Sequence, residues 1–509
     1  MSRTVVLRNE WILDDEELEE ISQTRRGLIE ERASADDPYS FEMNFGIVTT
    51  YQRQLRVISP LLSGKHRVTQ TVSYSVSLLG FGALVALMLR RHVGSRFVEL
   101  GSPIWLPPDP LDSHVARDLA RIVLLAVSSS YFATLLGQTL TFSAREFHAS
   151  IRAQALVLLV SRLDILPGFL LLLFVNRTGR VAVIRIATVL GVLFSVLSAF
   201  APNLFVLAIL QLGAKGATAA IGVLITISAA ETVSARQRAW AVATLVIGAA
   251  LGAGACDVLL PLAGLSLSSW RILYLVSLPL GVYGVYLSFG VRETERYARS
   301  YQTAKTGSRD RPRVDISRTR LIALGTVAFL ANAFLIPTTQ FRNQYLRVER
   351  HFSATSIAIF VILTSVPGAL GLGIGGRLAE TQGRRIVAGV AIVLGGGGIA
   401  LGFVSSGIGL WAWTIVGSAI VSAIVPSLGV YQTEMFSTAS RGIGGGIVTG
   451  ASRVGSIVGV AFVGYFATSI SLGSAVALLF FGMLFMLPVL YFYFPETKGM
   501  TLEEITKDE

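Results

Sequence analysis

Between residues 119 and 494 one pattern recurs twelve times: a long apolar run almost free of charge, then a short polar gap. The runs are 119–141, 153–175, 181–200, 203–230, 239–262, 270–290, 319–340, 355–376, 386–404, 408–431, 442–468 and 473–494. At 1.5 Å rise per residue, about twenty residues of helix cross a hydrocarbon layer of roughly 30 Å. Backbone polar groups in lipid must be paired inside the segment, so the runs are predicted to be helices; the alternating strands of a barrel are absent. Composition agrees, with 52% hydrophobic and 15% charged residues, against roughly 25% charged in soluble domains. The fold class expected is an all-α polytopic, integral membrane protein. The single cysteine, Cys256, excludes an internal disulfide.

The twelve runs divide into two related sets of six. Asn176-Arg177-Thr178-Gly179-Arg180 follows the second run and Glu380-Thr381-Gln382-Gly383-Arg384 the eighth, an offset of 204. Glu231 with Arg238 follows the fourth run and Glu434 with Arg441 the tenth, at 203; Glu293-Thr294 and Glu496-Thr497 follow the sixth and twelfth, also at 203. Three unlike landmarks at one spacing indicate a 6+6 pseudo-repeat, which is how many transporters are built. The organisation expected is a polar extension over 1–70, a possible extra membrane segment and connector over 71–118, bundles at 119–290 and 319–494, a basic loop at 291–318, and a tail at 495–509.

In the extension, Asp14, Asp15, Glu16, Glu17, Glu19 and Glu20 precede Arg25 and Arg26, which reads as a solvated acidic helix with an aspartate cap. No apolar stretch follows Met1, so no cleavable signal is expected at this start. Val72 to Leu89 is near the minimum length for a span, and the apolar stretch Leu78 to Leu89 favours a thirteenth crossing. That crossing would put 1–70 on the side opposite the C-terminus.

The net charge of +11 comes without aromatic-interleaved basic stripes or C-x-x-C pairs, so no nucleic-acid partner is expected. The basic residues collect in gaps, where they act as positive-inside signals and contacts for anionic membrane lipids. The 291–318 loop and the loops of Arg177/Arg180 and Arg384/Arg385 mark the cytoplasmic side; the gaps 201–202, 405–407 and 469–472 hold no Lys or Arg. Arg342, Arg347 and Arg350 run against that rule.

Gly376-Arg377-Leu378-Ala379-Glu380-Thr381-Gln382-Gly383-Arg384-Arg385 is similar to the loop motif G-x-L-A-D-R-x-G-R-R of the major facilitator superfamily. The first-half copy is poorer, with Leu172 at the glycine position and Asn176 at the acidic one. Glu231-x6-Arg238, Glu434-x6-Arg441 and the tail Pro495-Glu496-Thr497-Lys498-Gly499 resemble the sugar-porter and organic-ion-transporter branch over roughly residues 119–505. The resemblance implies alternating access around a midplane site, lined by the first, fourth, seventh and tenth helices. It implies a cytoplasmic gate built from Asn176, Arg177, Gly179, Arg180, Glu231, Arg238, Gly376, Glu380, Gly383, Arg384, Arg385, Glu434 and Arg441. These charges would pair across the halves when that side closes.

An ionisable group at a helix centre needs a partner or a watery cavity. Arg162 and Asp164 fall in the second run, Lys215 in the fourth, Asp257 toward the outer end of the fifth and Arg453 in the eleventh. Three cations against two acids leave one positive charge that an anionic substrate could match; the alternative is a set of structural ion pairs. Sugar porters carry an arginine where this chain has Gln211, and Lys215 lies one turn on. Arg453 sits in Ala451-Ser452-Arg453-Val454-Gly455, which looks like an eleventh-helix segment of organic-ion transporters associated with anions. Asn332 and Gln340 are further candidates on the substrate path. The first run has Ser128, Ser129, Ser130, Tyr131, Thr134 and Gln138 but no acid, which weakens proton coupling through it. Gly248, Gly252, Gly254, Gly455 and Gly459 read as close-packing positions.

The function expected is secondary transport of a small organic solute, an organic anion or sugar-like metabolite, by a monomer in the cell membrane with its C-terminus in the cytosol. No cofactor, metal or ATP motif is predicted; proton or ion coupling is possible. A non-transporting sensor on the same fold and a multidrug exporter are the alternatives, and a membrane enzyme is not expected.

Overall fold

Neutral caps begin several of the membrane helices. Ser150, Asn203, Ser353 and Ser471 accept the backbone N–H of Ala153, Val206, Ser356 and Ser474 at 2.9–3.2 Å, satisfying N–H groups that lipid could not. All four lie at the end opposite the motif loops, where lysine and arginine are scarce in the gaps. The computed structural model describes residues 4–25, 29–34, 37–61, 65–76, 82–95, 111–234, 237–293, 317–429, 431 and 441–496. The side chains of Asn176, Arg177, Glu380 and Arg441, all of Glu434, most of the 291–318 loop and the tail beyond Glu496 lie outside the described residues.

Among the described residues, twelve helices are long and apolar enough to cross a membrane. In order, spans 1 to 12 are Ser113–Glu146, Ile151–Leu173, Arg180–Ser198, Leu204–Thr232, Trp240–Gly264, Trp270–Phe289, Arg318–Glu349, Ala354–Ala379, Arg384–Val404, Gly407–Gly429, Gly444–Phe466 and Leu472–Tyr493. Each expected run became one of them. Spans 1 and 5 meet where a Cβ on Gly252 would lie 2.0 Å from the Val127 carbonyl oxygen; spans 7 and 11 meet where one on Gly455 would lie 2.1 Å from that of Phe329. These two contacts are repeat mates, and only glycine permits either.

The halves do not pack along their full length. One apolar cluster joins both, with Tyr131, Phe132 and Tyr274 from the first half and Phe341, Tyr345 and Phe360 from the second. Toward the motif loops the buried apolar residues divide into a first-half group around Leu119, Ile184 and Leu224 and a second-half group around Leu324, Ala388 and Met486. At the joined end Asn343 donates to the Gln138 carbonyl and side-chain oxygens at 3.2 and 2.5 Å, and Arg152 to Thr468 at 3.1 Å. The bundle is therefore closed at that end and parted at the basic end.

The N-terminal region departs from the all-helical expectation. β1 (Thr4–Leu13), β2 (Ile29–Ala33), β3 (Ser40–Gly46), β4 (Thr50–Leu61) and β5 (Lys65–Ser75) form an antiparallel sheet in the order β1-β5-β4-β3-β2. The acidic helix exists as α1 (Asp15–Ile21), with Asp14 and Glu17 in a reciprocal capping box. Val72 to Leu89 is not a single segment: Val72 to Ser75 belong to β5, and α2 (Gly82–Val93) has 12 residues. Twelve residues of helix reach about 18 Å, short of a crossing. The cause is period: Val68, Gln70, Val72 and Tyr74 alternate onto one buried face of the sheet, which α2 covers with Leu89 and Val93. That core also takes in Ala116 of span 1, so the sheet sits against the first membrane helix at the basic end.

Candidate functional site

Span 2 is interrupted where its charges lie. Helix Ile151–Ser161 gives way to a 3₁₀ turn at Arg162–Asp164 and resumes at Ile165–Leu173. Pro167 lies in the first turn of the resumed helix, where it lacks an N–H to donate back across the 3₁₀ turn. Its ring also packs on span 4: a Cβ on Gly216 would lie 2.5 Å from the Pro167 Cγ. That contact sets Lys215 beside the break, with its Nζ donating to Ser161 Oγ at 3.4 Å.

From the other half, span 11 brings Arg453, whose Nη1 lies 3.1 Å from Asp164 Oδ1 and 3.4 Å from Oδ2. These groups line a cavity of about 430 Å³ with Ser129, Ser130, Thr218 and Gln340. Arg162 has two buried nitrogens, Nε and Nη2, without a hydrogen-bond partner, and Gln340 Oε1 is buried and unpartnered. Three basic side chains against one carboxylate give the cavity a formal charge of +2, and unsatisfied buried donors are costly until a ligand supplies acceptors.

The same fold is found in solved transporters. The inward open conformation of the xylose transporter XylE from E. coli has a TM-score of 0.64 at 17% identity, over 77% of this chain and 99% of that one. The nucleoside transporter NupG gives 0.58 at 14%, over 74% and 100%. A bacterial homolog to the human lysosomal transporter Spinster, inward-facing and occupied, gives 0.57 at 15%, over 73% and 94%. The chain has the major facilitator fold. The Sugar (and other) transporter family matches residues 386–508, which bears out the resemblance read from the motifs. No curated protein matches the chain by sequence.

Of the expected path residues, the fold brings Arg162, Asp164, Lys215, Gln340 and Arg453 to one cavity. Gln211 is not on it: it is fully buried and donates to Ser198 of span 3 at 2.9 Å. Asn332 donates to its own helix at the Ala328 carbonyl, 2.9 Å. Asp257 lies away from the cavity, and the charge acting on it is Arg342 of span 7. Sequence reasoning had placed Arg342 outside as a topology signal; helix phase, not loop position, turns it inward.

Among the described residues expected at the gate, the contacts seen lie within each half. Arg180 Nη1 meets Glu231 Oε2 at 2.7 Å. Glu293 accepts the Val181 N–H at 2.9 Å, and Glu496 accepts the Arg384 and Arg385 N–H groups at 3.0 and 3.1 Å. Each glutamate thus caps the helix that begins a motif loop's far side, next to a glycine with positive φ, Gly179 at 89° and Gly383 at 104°. Gly376 packs near Pro426, and Arg238 opens the fifth helix, exposed. Gly383→Ala is expected to cost about 1–3 kcal/mol, because the turn is left-handed and the new Cβ would lie 2.9 Å from Glu496 Oε2. Thermal unfolding of purified protein checks this, with Gly373→Ala as the control, since a Cβ there meets nothing within 4 Å.

A further repeat pair was missed. Glu146 takes Trp270 Nε1 and Arg271 Nη2, the latter at 2.9 Å, while Glu349 takes the Leu472 and Gly473 N–H groups at 2.5 and 3.3 Å. Both tie the end of a half's first helix to the start of its last. The 203-residue offset, applied to every acid rather than to motif loops alone, would have found them.

Proposed function

We propose that the protein is a secondary transporter that carries a small organic anion with a carboxylate. The observation that carries this is the charge of the cavity: Arg162, Lys215 and Arg453 converge there against Asp164 alone, with Arg162 donors left open. Arg162 and Lys215 receive the carboxylate from the first half and Arg453 from the second, while Ser129, Ser130, Thr218 and Gln340 take polar groups of the remainder. Because the site spans both halves, an anion bound there draws them together. The basic end faces the cytosol by the positive-inside rule, so the conformation described is inward-facing and the C-terminus is cytoplasmic. The sheet of residues 4–75 lies on the same side, since its core takes in Ala116 at the basic end of span 1. The protein acts as a monomer in the cell membrane.

Counterflow in proteoliposomes tests the reading. Benzoate or succinate should exchange, and xylose and tetraethylammonium should not. Xylose exchange with no carboxylate exchange would overturn the anion assignment, and binding without any exchange would favour a sensor.

The loop charges serve the gate. Arg180→Ala is expected to slow exchange several-fold and leave half-saturation within a few fold, because the Arg180–Glu231 pair, its side chains 18% and 20% exposed, lies off the cavity and its role lies in the rate of switching. An unchanged rate would remove the Arg180–Glu231 pair from the gate.

A further inference from the structure

A second cleft, of about 440 Å³, lies outside the membrane bundle. It runs between β1 and α2 and is lined by Val6, Arg8 and Asn9 of the strand and by Leu87 and Arg90 of the helix. β1 is an edge of the sheet, so the cleft follows its open side. Its walls are fixed. The Tyr74 hydroxyl donates to the Ala86 carbonyl at 2.7 Å, and Asn9 Nδ2 to the Gly94 carbonyl at 2.6 Å. Arg25 donates to the Val93 and Ser95 carbonyls at 3.0 and 2.7 Å. These bonds hold α2 to the sheet at mid-length and at its C-terminal end, so the cleft is preformed.

Two cations and no acid line it. Arg8 and Arg90 are both exposed, and among the described residues no carboxylate pairs with either; Glu10, on the same face of β1 as Arg8, is engaged by Arg67 at 3.5 Å. Beside these charges, Val6 is 62% exposed and Leu87 65%. A free inorganic anion would satisfy the arginines and leave both apolar side chains in water. A neutral lipid would cover the apolar side chains and leave the arginines uncompensated. An anion that carries hydrocarbon answers both.

The place of the cleft supplies such a molecule. The α2 core includes Ala116, in the first turn of a helix of 34 residues. That helix is about 51 Å long, against roughly 30 Å of hydrocarbon, so its ends project. Arg121 Nη1 lies 2.6 Å from Asp118 Oδ1 and 2.9 Å from the Gly290 carbonyl, where span 6 ends. This polar collar marks the edge of the hydrocarbon, and Ala116 lies just outside it, at the level of the lipid headgroups. We propose that the cleft binds an anionic phospholipid of the adjoining leaflet, its phosphate on Arg8 and Arg90 and its upper acyl carbons against Val6 and Leu87. The lipid then pins the sheet to the membrane. The site requires only that the twelve spans lie in a bilayer and holds whether or not the protein is a transporter.

Photo-crosslinking of the full chain in nanodiscs tests the site. Phosphatidylglycerol and phosphatidylcholine, each with a diazirine high on one acyl chain, are compared at equal mole fraction, and labelled peptides are located by mass spectrometry. Phosphatidylglycerol should label residues 4–13 and 82–95 about tenfold more than phosphatidylcholine, since each arginine near the surface adds about fivefold for an anionic lipid. Arg8→Gln with Arg90→Gln should bring the two lipids within twofold there and leave labelling of the spans unchanged. Unchanged labelling of the spans and an N-terminal region that stays protease-resistant show that this variant is folded. Equal labelling by both lipids in wild type, or none in either segment, overturns the proposal; the second result leaves the open edge of β1 to an added protein strand. Loss of the preference on adding excess glycerol phosphate assigns the arginines to a soluble anion and also overturns it.

Discussion

Arg453→Ala is expected to remove most of the affinity for a carboxylate. Truncating one member of a buried, hydrogen-bonded charge pair costs about 2–5 kcal/mol, or roughly thirtyfold to a few thousandfold in affinity at 1.4 kcal/mol per tenfold. The Arg453 side chain is 32% exposed, so the lower part of that range applies. Two effects add: the anion loses a donor, and Asp164, only 12% exposed at its side chain, is left as an uncompensated negative charge beside the site. Asp164→Asn in the Arg453→Ala background should therefore recover part of the loss, and a double-mutant cycle measures the coupling. Titration calorimetry with benzoate and succinate reads the effect. If Arg453→Ala unfolds the protein, or if Arg453→Ala leaves carboxylate affinity unchanged, Arg453 is a structural partner of Asp164 and not a ligand-binding group.

The second large effect is expected far from the cavity. Glu31 and Arg53 are fully buried in the sheet, with Arg53 Nε and Nη2 at 2.8 and 2.6 Å from the two carboxylate oxygens. Arg53 also donates to the Ile21 and Gln23 carbonyls at 2.8 and 2.9 Å, and its guanidinium stacks 4.0 Å over the Phe41 ring. Tyr51 donates to Glu31 at 2.6 Å, and so does the Arg25 backbone at 2.9 Å. Glu31→Ala strips this network of its acceptor and leaves Arg53 as a buried lone cation, at a cost of about 3–5 kcal/mol. The N-terminal region should become protease-sensitive in the full-length protein while benzoate or succinate exchange continues; intact protease resistance would refute the estimate.

The same network fixes an alkaline limit. Burial first, and then the Glu31 charge, raise the Tyr51 hydroxyl above its ordinary value. A group whose folded value lies above its unfolded one gives its full stability below the unfolded value and loses it as pH rises. Stability of the sheet should therefore fall above the ordinary tyrosine range, and Tyr51→Phe should flatten that fall.

What could be read along the chain was whatever the membrane imposes locally. A span must be an uninterrupted apolar run, and the two-fold repeat leaves landmarks at a constant offset, so twelve helices and the close-packing glycines Gly252 and Gly455 were legible from the residues alone. The sheet was not, because β5 and α2 abut in one apolar stretch, and a window long enough to find a span averages a period of two with a period of 3.6. The site was legible as a list of charges but not as pairs. Asp164 and Arg453 are 289 positions apart and meet only because span 2 breaks at Arg162–Asp164 while span 11 crosses from the other half. Gln211 and Lys215 lie one turn apart on one helix, yet one packs on span 3 and the other enters the cavity. That choice of face, like the inward turn of Arg342 toward Asp257, is set by how neighbouring helices rotate and pack, and composition alone does not carry it.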